Sequence, residues 1–177
     1  MKLLFIKLFL AVLPFTFLSD HTWKVKSSSI SFRIKNAGMS VDGSFSGLEA
    51  DIKFNPLKPE DAAIKASVTS ASVNTGTEMR DNHLRKAEYL DSDKFPKITL
   101  QSLKIEKTGP ISYTGLFKLT LKGVTKDVTI PFNFMKLSDR TEIKGYFSIN
   151  RRDYGVGGKS ISMADNLTVT ILLNVTE

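Results

Sequence analysis

Cysteine is absent from the 177 residues, histidine occurs twice and tryptophan once. Without cysteine the chain has no disulfide to staple it, no thiolate to act as nucleophile or metal ligand, and no lipobox site for acylation. With His21 and His83 as its whole histidine complement, it cannot assemble a histidine-rich metal set. Long apolar runs are scarce too. The one at residues 8–18 covers 11 residues, against roughly 20 needed to span a bilayer. It follows Lys2 and Lys7 and gives way to Ser19 and Asp20, the charged, apolar, polar order of a secretory signal, without an A-x-A-like pair of small residues at the junction. We expect an export signal over 1–19 and one domain over 20–177, periplasmic or secreted. No repeat, low-complexity tract or linker divides that stretch, and its length suffices to bury a core without staples.

The chain is rich in lysine. Its formal charge is +7, falling to +5 without Lys2 and Lys7, a bias that favours anionic membranes or phosphate-bearing ligands. The lysines are spread out, however, and Lys24, Lys53, Lys65, Lys104, Lys118, Lys126 and Lys144 alternate with apolar neighbours. That spacing marks the solvated face of a sheet.

Past residue 20 the apolar period is two, which predicts strands with one buried face. The first strand carries Trp23, Val25, Ile30, Phe32 and Ile34. A second has Phe45, Ile52 and Phe54, with Gly43 and Gly47 as bends or bulges. Ile64, Ala66 and Val68 make a third. The period then lapses. Thr77 ahead of Glu78, Met79 and Arg80 reads as a helix start, predicting a short helix to Lys86 that packs Leu84 over one end of the sheet. Alternation resumes with Ile98 and Leu100, then with Ile111, Tyr113, Gly115, Phe117, Leu119 and Leu121. After a turn at Lys122-Gly123 come Val128, Ile130, Phe132 and Phe134, then Ile143, Gly145, Phe147 and Ile149, then Leu167, Val169, Ile171, Leu173 and Val175. The fold class is all-β: eight strands in an antiparallel up-and-down barrel, with one short helix between the third and fourth. An eight-stranded barrel is either filled by its side chains or holds one small ligand. Ala66 and Gly145 among the inward positions permit some space, and periodicity alone leaves both states open.

Three polar clusters are candidates for chemistry. In Arg80-Asp81-Asn82-His83, Asp81 and His83 could serve a hydrolase, but residues two apart on a helix point to different faces and no nucleophile is placed beside them. The competing reading has Arg80 and Asp81 in ion pairs or capping backbone groups. In Asn150-Arg151-Arg152-Asp153-Tyr154, after the seventh strand, the guanidinium of Arg151 or Arg152 suits a phosphate. Alternatively Arg152 pairs with Asp153 or Asp81 to pin the loop. Gly155-Val156-Gly157-Gly158-Lys159-Ser160 has the wrong spacing for a phosphate loop: Asp153 stands where G-x-x-x-x-G-K-[ST] needs its first glycine, and a strand follows rather than a helix. It is read as a flexible loop.

Several strings, in order, resemble one family: Trp23-Lys24-Val25 with Ser29-Ile30-Ser31-Phe32, Val41-Asp42-Gly43-Ser44-Phe45, and Ala71-Ser72-Val73-Asn74-Thr75. Then come Arg80-Asp81-Asn82-His83-Leu84, Phe95-Pro96-Lys97-Ile98, Gly115-Leu116-Phe117-Lys118-Leu119-Thr120 with Gly123-Val124-Thr125, and Asn150-Arg151-Arg152-Asp153-Tyr154-Gly155. Together they resemble the YceI-like family of periplasmic, lipocalin-like proteins. The polar, glycine-rich loop at 156–166 is a mild departure.

The resemblance implies a non-catalytic barrel whose elongated apolar pocket takes a polyisoprenoid chain, such as a quinone tail or prenyl phosphate, for storage, transport or shielding. The pocket would be lined by Phe32, Ile34, Phe45, Val68, Leu84, Ile98, Leu100, Phe117, Leu119, Ile130, Phe132, Phe147, Ile149, Leu167 and Val169. Arg80, Asp81, His83, Arg151 and Arg152 would stand at its mouth or at the ligand's head group. No cofactor or metal is expected. The isoprenoid lipid is the expected partner, with transient contact to an anionic membrane surface, in a monomer or homodimer. A hydrolase using Asp81 and His83 at the mouth is the alternative. Nucleic acid is not an expected partner, because most phenylalanines share the parity of Ile and Val rather than that of the lysines.

Overall fold

The structure, a computed structural model, describes residues 21–177. The expected export signal lies outside them. Among the described residues no helix is long and apolar enough to cross a membrane.

The alternating sequence forms β1 (Thr22–Asn36), β2 (Met39–Phe45), β3 (Glu49–Lys53), β4 (Ala63–Thr69), β5 (Lys97–Lys107), β6 (Ser112–Leu121), β7 (Val124–Lys136), β8 (Thr141–Asn150) and β9 (Met163–Thr176). All pairings are antiparallel, and β1 pairs with β9 to close the sheet. β2 pairs with one half of β1, from Ile30 to Asn36, and β3 with its start, at Thr22 and Trp23. These two strands therefore form one stave, broken at Ser46-Gly47-Leu48, and the barrel has eight staves. Gly47 makes the break at φ 70°, as expected. Gly43 does not bend: it is extended within β2, opposite Phe32. The turn at Lys122-Gly123 has φ of 50° and 74°, the paired left-handed conformation that matches hairpin twist.

The expected helix is α1 (Glu78–Arg85), capped by Thr77 backbone geometry without a side-chain bond. Arg85 ties it down by donating from Nε to the Ala71 carbonyl at 2.7 Å and from Nη2 to that of Val73 at 3.2 Å.

One end of the barrel is packed shut by aromatics. Trp23 meets Phe134 edge-on at 5.1 Å, Phe54 meets Tyr113 at 5.0 Å, and Tyr113 stacks on Phe132 at 5.5 Å. Their polar atoms are satisfied: Trp23 Nε1 donates to the Phe54 carbonyl at 2.8 Å and the Tyr113 hydroxyl to that of Pro56 at 3.1 Å. Such pairs favour closure beyond the area they bury. The other end, where β1 turns into β2 and β8 gives way to β9, is crossed by α1 and the 151–162 segment. The seven lysines named above all lie on the outer, exposed face.

Candidate binding cavity

Between the aromatic floor and the helix-crossed end lies a cavity of about 270 Å³, compared with about 150 Å³ for a dry apolar void that accepts benzene. Alternation turns Phe32 and Ile34 of β1, Phe45 of β2 and Val68 of β4 inward onto its wall. Ile98 and Leu100 face them from β5, Phe117 and Leu119 from β6, and Ile130 and Phe132 from β7. Phe147 and Ile149 of β8 and Leu167 and Val169 of β9 complete the wall, and Leu84 of α1 reaches it from the crossed end. Ala66 and Gly145, the small inward residues, line it as well.

Burial grades along the barrel, and Ile52, Phe117, Ile130 and Phe147 line the cavity while being buried by their neighbours. Ile52, Phe54, Ile105, Tyr113 and Val175 are almost wholly covered by protein, whereas Phe32, Ile34, Phe45, Ile98, Leu100, Leu167 and Val169 point inward yet stay partly exposed. A filled barrel would cover both sets alike.

The polar candidates divide. Arg80 lines the cavity; its Nε donates to the Thr75 hydroxyl and its Nη2 to the Thr75 carbonyl, each at 2.7 Å, and it forms no ion pair among the described residues. Asp81 is buried beneath it, away from the cavity wall, and accepts from Thr75 N at 2.9 Å and Thr75 Oγ1 at 2.5 Å. Asp81 is thus a backbone cap joined to Arg80 through the Thr75 hydroxyl. His83 points outward, packs edge-on against Tyr89 at 4.8 Å and lies 3.9 Å from Glu88. It makes no contact with Asp81, so the pair required for a hydrolase is not assembled.

Arg151 also reaches the cavity wall, but its donors are spent. Nε donates to the Ala164 carbonyl at 2.9 Å, Nη1 to those of Val156 (2.8 Å), Gly157 and Gly158 (2.8 Å), and Nη2 to Asp165 at 2.9 Å. The guanidinium is the clasp of the glycine-rich loop and is not free for phosphate. Arg152 is exposed, lies off the cavity, and pairs with Asp165 at 3.3 Å rather than with Asp153 or Asp81; Asp153 faces Lys126 at 3.5 Å. The reason is the chain reversal at Arg151–Tyr154, which brings the start of β9 beside both arginines.

Sequence reasoning missed the lip. Asn36, Thr75, Tyr89, Leu90, Val156 and Met163 line the cavity from segments outside the alternating pattern or at strand ends, and Val41 lines it from within β2, opposite Ile34. Asn36 is distinctive, because its buried Oδ1 has no hydrogen-bond partner, a cost that a donor entering the cavity would relieve. Among the described residues no group of three or more His, Asp or Glu side chains could hold a metal ion. Of the resolved protonation shifts, burial raises the Tyr113 hydroxyl above the usual phenol range, and on the outer wall the Arg33 guanidinium lowers the Asp42 carboxyl.

A closed antiparallel barrel with one packed end and an apolar hollow is a lipocalin-like barrel, the class in which eight strands enclose room for one small ligand. Within that class, the YceI-like domain matches residues 22–175, and the chain belongs to that family. It is 34% identical over 138 residues to the UPF0312 protein of Pseudomonas fluorescens, covering 71% of this chain and 70% of the relative. It is 36% identical over 112 residues to protein YceI of Salmonella arizonae, covering 62% and 58%. Among solved structures, BcnA of Burkholderia cenocepacia superposes with a TM-score of 0.80 at 25% identity, over 85% of this chain and 96% of that one. A polyisoprenoid binding domain from Saccharophagus degradans, implicated in plant cell wall breakdown, shares the fold with a TM-score of 0.65 at 14% identity, over 87% and 96%.

Proposed function

We propose that the protein binds a long apolar isoprenoid-type lipid, a quinone tail or a prenyl phosphate, in the barrel and holds it out of water for storage, transport or shielding. The observation that carries this reading is the set of inward apolar side chains left partly exposed around a cavity of about 270 Å³. Covering such surface yields about 25 cal/mol per Å², so a chain of several isoprene units binds without a dedicated polar anchor. The polyisoprenoid binding domain of Saccharophagus degradans, which has the same fold, supports the ligand class.

The fifteen apolar positions named from the sequence form the wall against which the chain packs, and Arg80 and Asn36 at the lip face its polar end. Family membership supports binding rather than catalysis, and the separation of Asp81 from His83 disfavours the hydrolase reading. The protein works in the periplasm or as a secreted protein, as a monomer or homodimer, without a cofactor. The test is mass spectrometry of lipids extracted from protein purified from its native host, combined with uptake of prenyl chains by delipidated protein. Copurified isoprenoid and saturable uptake are expected. Absence of both overturns the assignment.

A further inference from the structure

We propose that the open end of the barrel docks on an anionic lipid bilayer, with Met39 and Ile161 entering the interface and Lys35 and Lys159 meeting lipid phosphates. Five large apolar side chains of the described residues are strongly exposed; Leu57 lies at the closed end and Tyr146 on the outer wall of β8, and the other three gather at the open end. Ile161 is fully exposed at 108%, Met79 is 82% and Met39 is 70% exposed, and all three stand around the mouth.

Met39 sits at the tip of the hairpin between β1 and β2, opposite Asn36 of the cavity lip. The backbone N–H of Ala37 donates to the Ser162 carbonyl at 2.8 Å, which holds the Ile161 loop against that tip. Further round, the bridge between Ser44 and Asn74 joins β2 to the segment entering α1, where Met79 lies in the first turn beside Arg80. The prongs therefore form an arc around the opening.

Charge selects the occupant. Lys35 lies two residues before Ala37 and Lys159 two before Ile161; both are exposed, and neither forms an ion pair among the described residues. Nearby, Asp42 is neutralised by Arg33 at 2.5 Å, whereas exposed Glu78 adjoins Met79, so the cationic side of the rim is the one that carries Met39 and Ile161. Leu57, 83% exposed, is the contrast: it lies at the closed end, where Lys58 beside it is outweighed by Glu60 and Asp61. Separate apolar prongs among lysines suit a fluid, negatively charged interface, which moulds to them; a rigid protein partner would need a matching socket for each.

The inference rests on the lipid-binding reading, since a barrel that loads a water-insoluble chain must present its mouth to the membrane holding it. Flotation with phosphatidylcholine vesicles, with and without phosphatidylglycerol, tests it directly. The wild type binds the anionic vesicles, Lys35→Gln with Lys159→Gln weakens binding by about fivefold per lysine, Met39→Ser with Ile161→Ser weakens it by about tenfold or more, and Leu57→Ser leaves it unchanged. Uptake of a fluorescent geranylgeranyl probe from detergent micelles stays at the wild-type level in every variant. No vesicle binding by the wild type, equal binding to both vesicle types, or loss of micellar uptake in the rim variants overturns the proposal. Vesicle binding with the expected losses, in a protein that never takes up the probe, supports docking and overturns the isoprenoid cargo instead.

Discussion

The ring of Phe32 lies over Gly43, its cross-strand partner on β2, in the space that a Cβ on residue 43 would occupy. Gly43→Ala therefore displaces the ring. The backbone there is extended and the displaced atoms are the far end of a side chain, so the cost is steric, about 1–2 kcal/mol. The ring moves towards the cavity it already lines. Thermal denaturation and probe titration on the same sample should show a modest stability loss and a larger loss of prenyl uptake. Unchanged uptake would mean that the ring moves away from the cavity.

Arg151 is a buried cation, 1% exposed, bonded to carbonyls from Val156, Gly157, Gly158 and Ala164 and to Asp165. Arg151→Met strands those acceptors together and should destabilise the fold by about 3–5 kcal/mol in urea titration. Arg151→Lys recovers little of this, because an ammonium cannot reproduce the forked geometry. A loss below about 1 kcal/mol in Arg151→Met would show that the loop finds other partners.

Phe117 and Ile149 face the cavity from β6 and β8. Trp at either position fills space rather than opening it. Phe117→Trp and Ile149→Trp should each cut prenyl uptake by about tenfold or more while costing at most about 1–3 kcal/mol of stability, the usual range for overpacking. Full uptake by both variants would place the ligand elsewhere.

Arg33 and Asp42 face each other across the β1–β2 hairpin, with Nε to Oδ1 at 2.5 Å and Nη2 to Oδ2 at 3.0 Å. The hydrogen bond from Arg33 is the main cause of the lowered Asp42 value. A lowered folded value means that the pair favours the folded state above the ordinary carboxylate range, near pH 4, and that this contribution disappears as pH falls through the lowered value. Carboxyl NMR titration should show a low Asp42 midpoint that returns to normal in Arg33→Gln and moves towards normal in high salt. An identical midpoint in both proteins would show that the pair does not persist in solution.

Much of the barrel was legible from local chemistry. A period of two sets the parity of the inward residues except where irregularities after Val25 in β1 and after Ser102 in β5 switch it, and Lys122-Gly123 adopts the left-handed turn conformation that Gly123 favours and Lys122 tolerates. The break of one stave into β2 and β3 was signalled by Gly47, whereas Gly43 was misread because its function is to fit beneath a ring contributed by another strand. Pro131 shows a related limit. It occupies an alternating strand, but it lacks an N–H, and the β7–β8 ladder stops beside it at Phe132 and Gly145.

By itself, the amino-acid order determined that eight staves would place apolar residues inward and lysines outward, because side-chain alternation is a property of the extended backbone. Tertiary structure alone decided whether the interior would be filled or hollow, since that depends on whether side chains from facing walls meet: they do at Trp23, Phe54, Tyr113 and Phe134, and they leave space between Phe32, Leu100 and Val169. It also decided the partners of the charged groups. Arg151 and Arg152 find Asp165 because a chain reversal brings the start of β9 alongside them, and no spacing along the sequence encodes that distance.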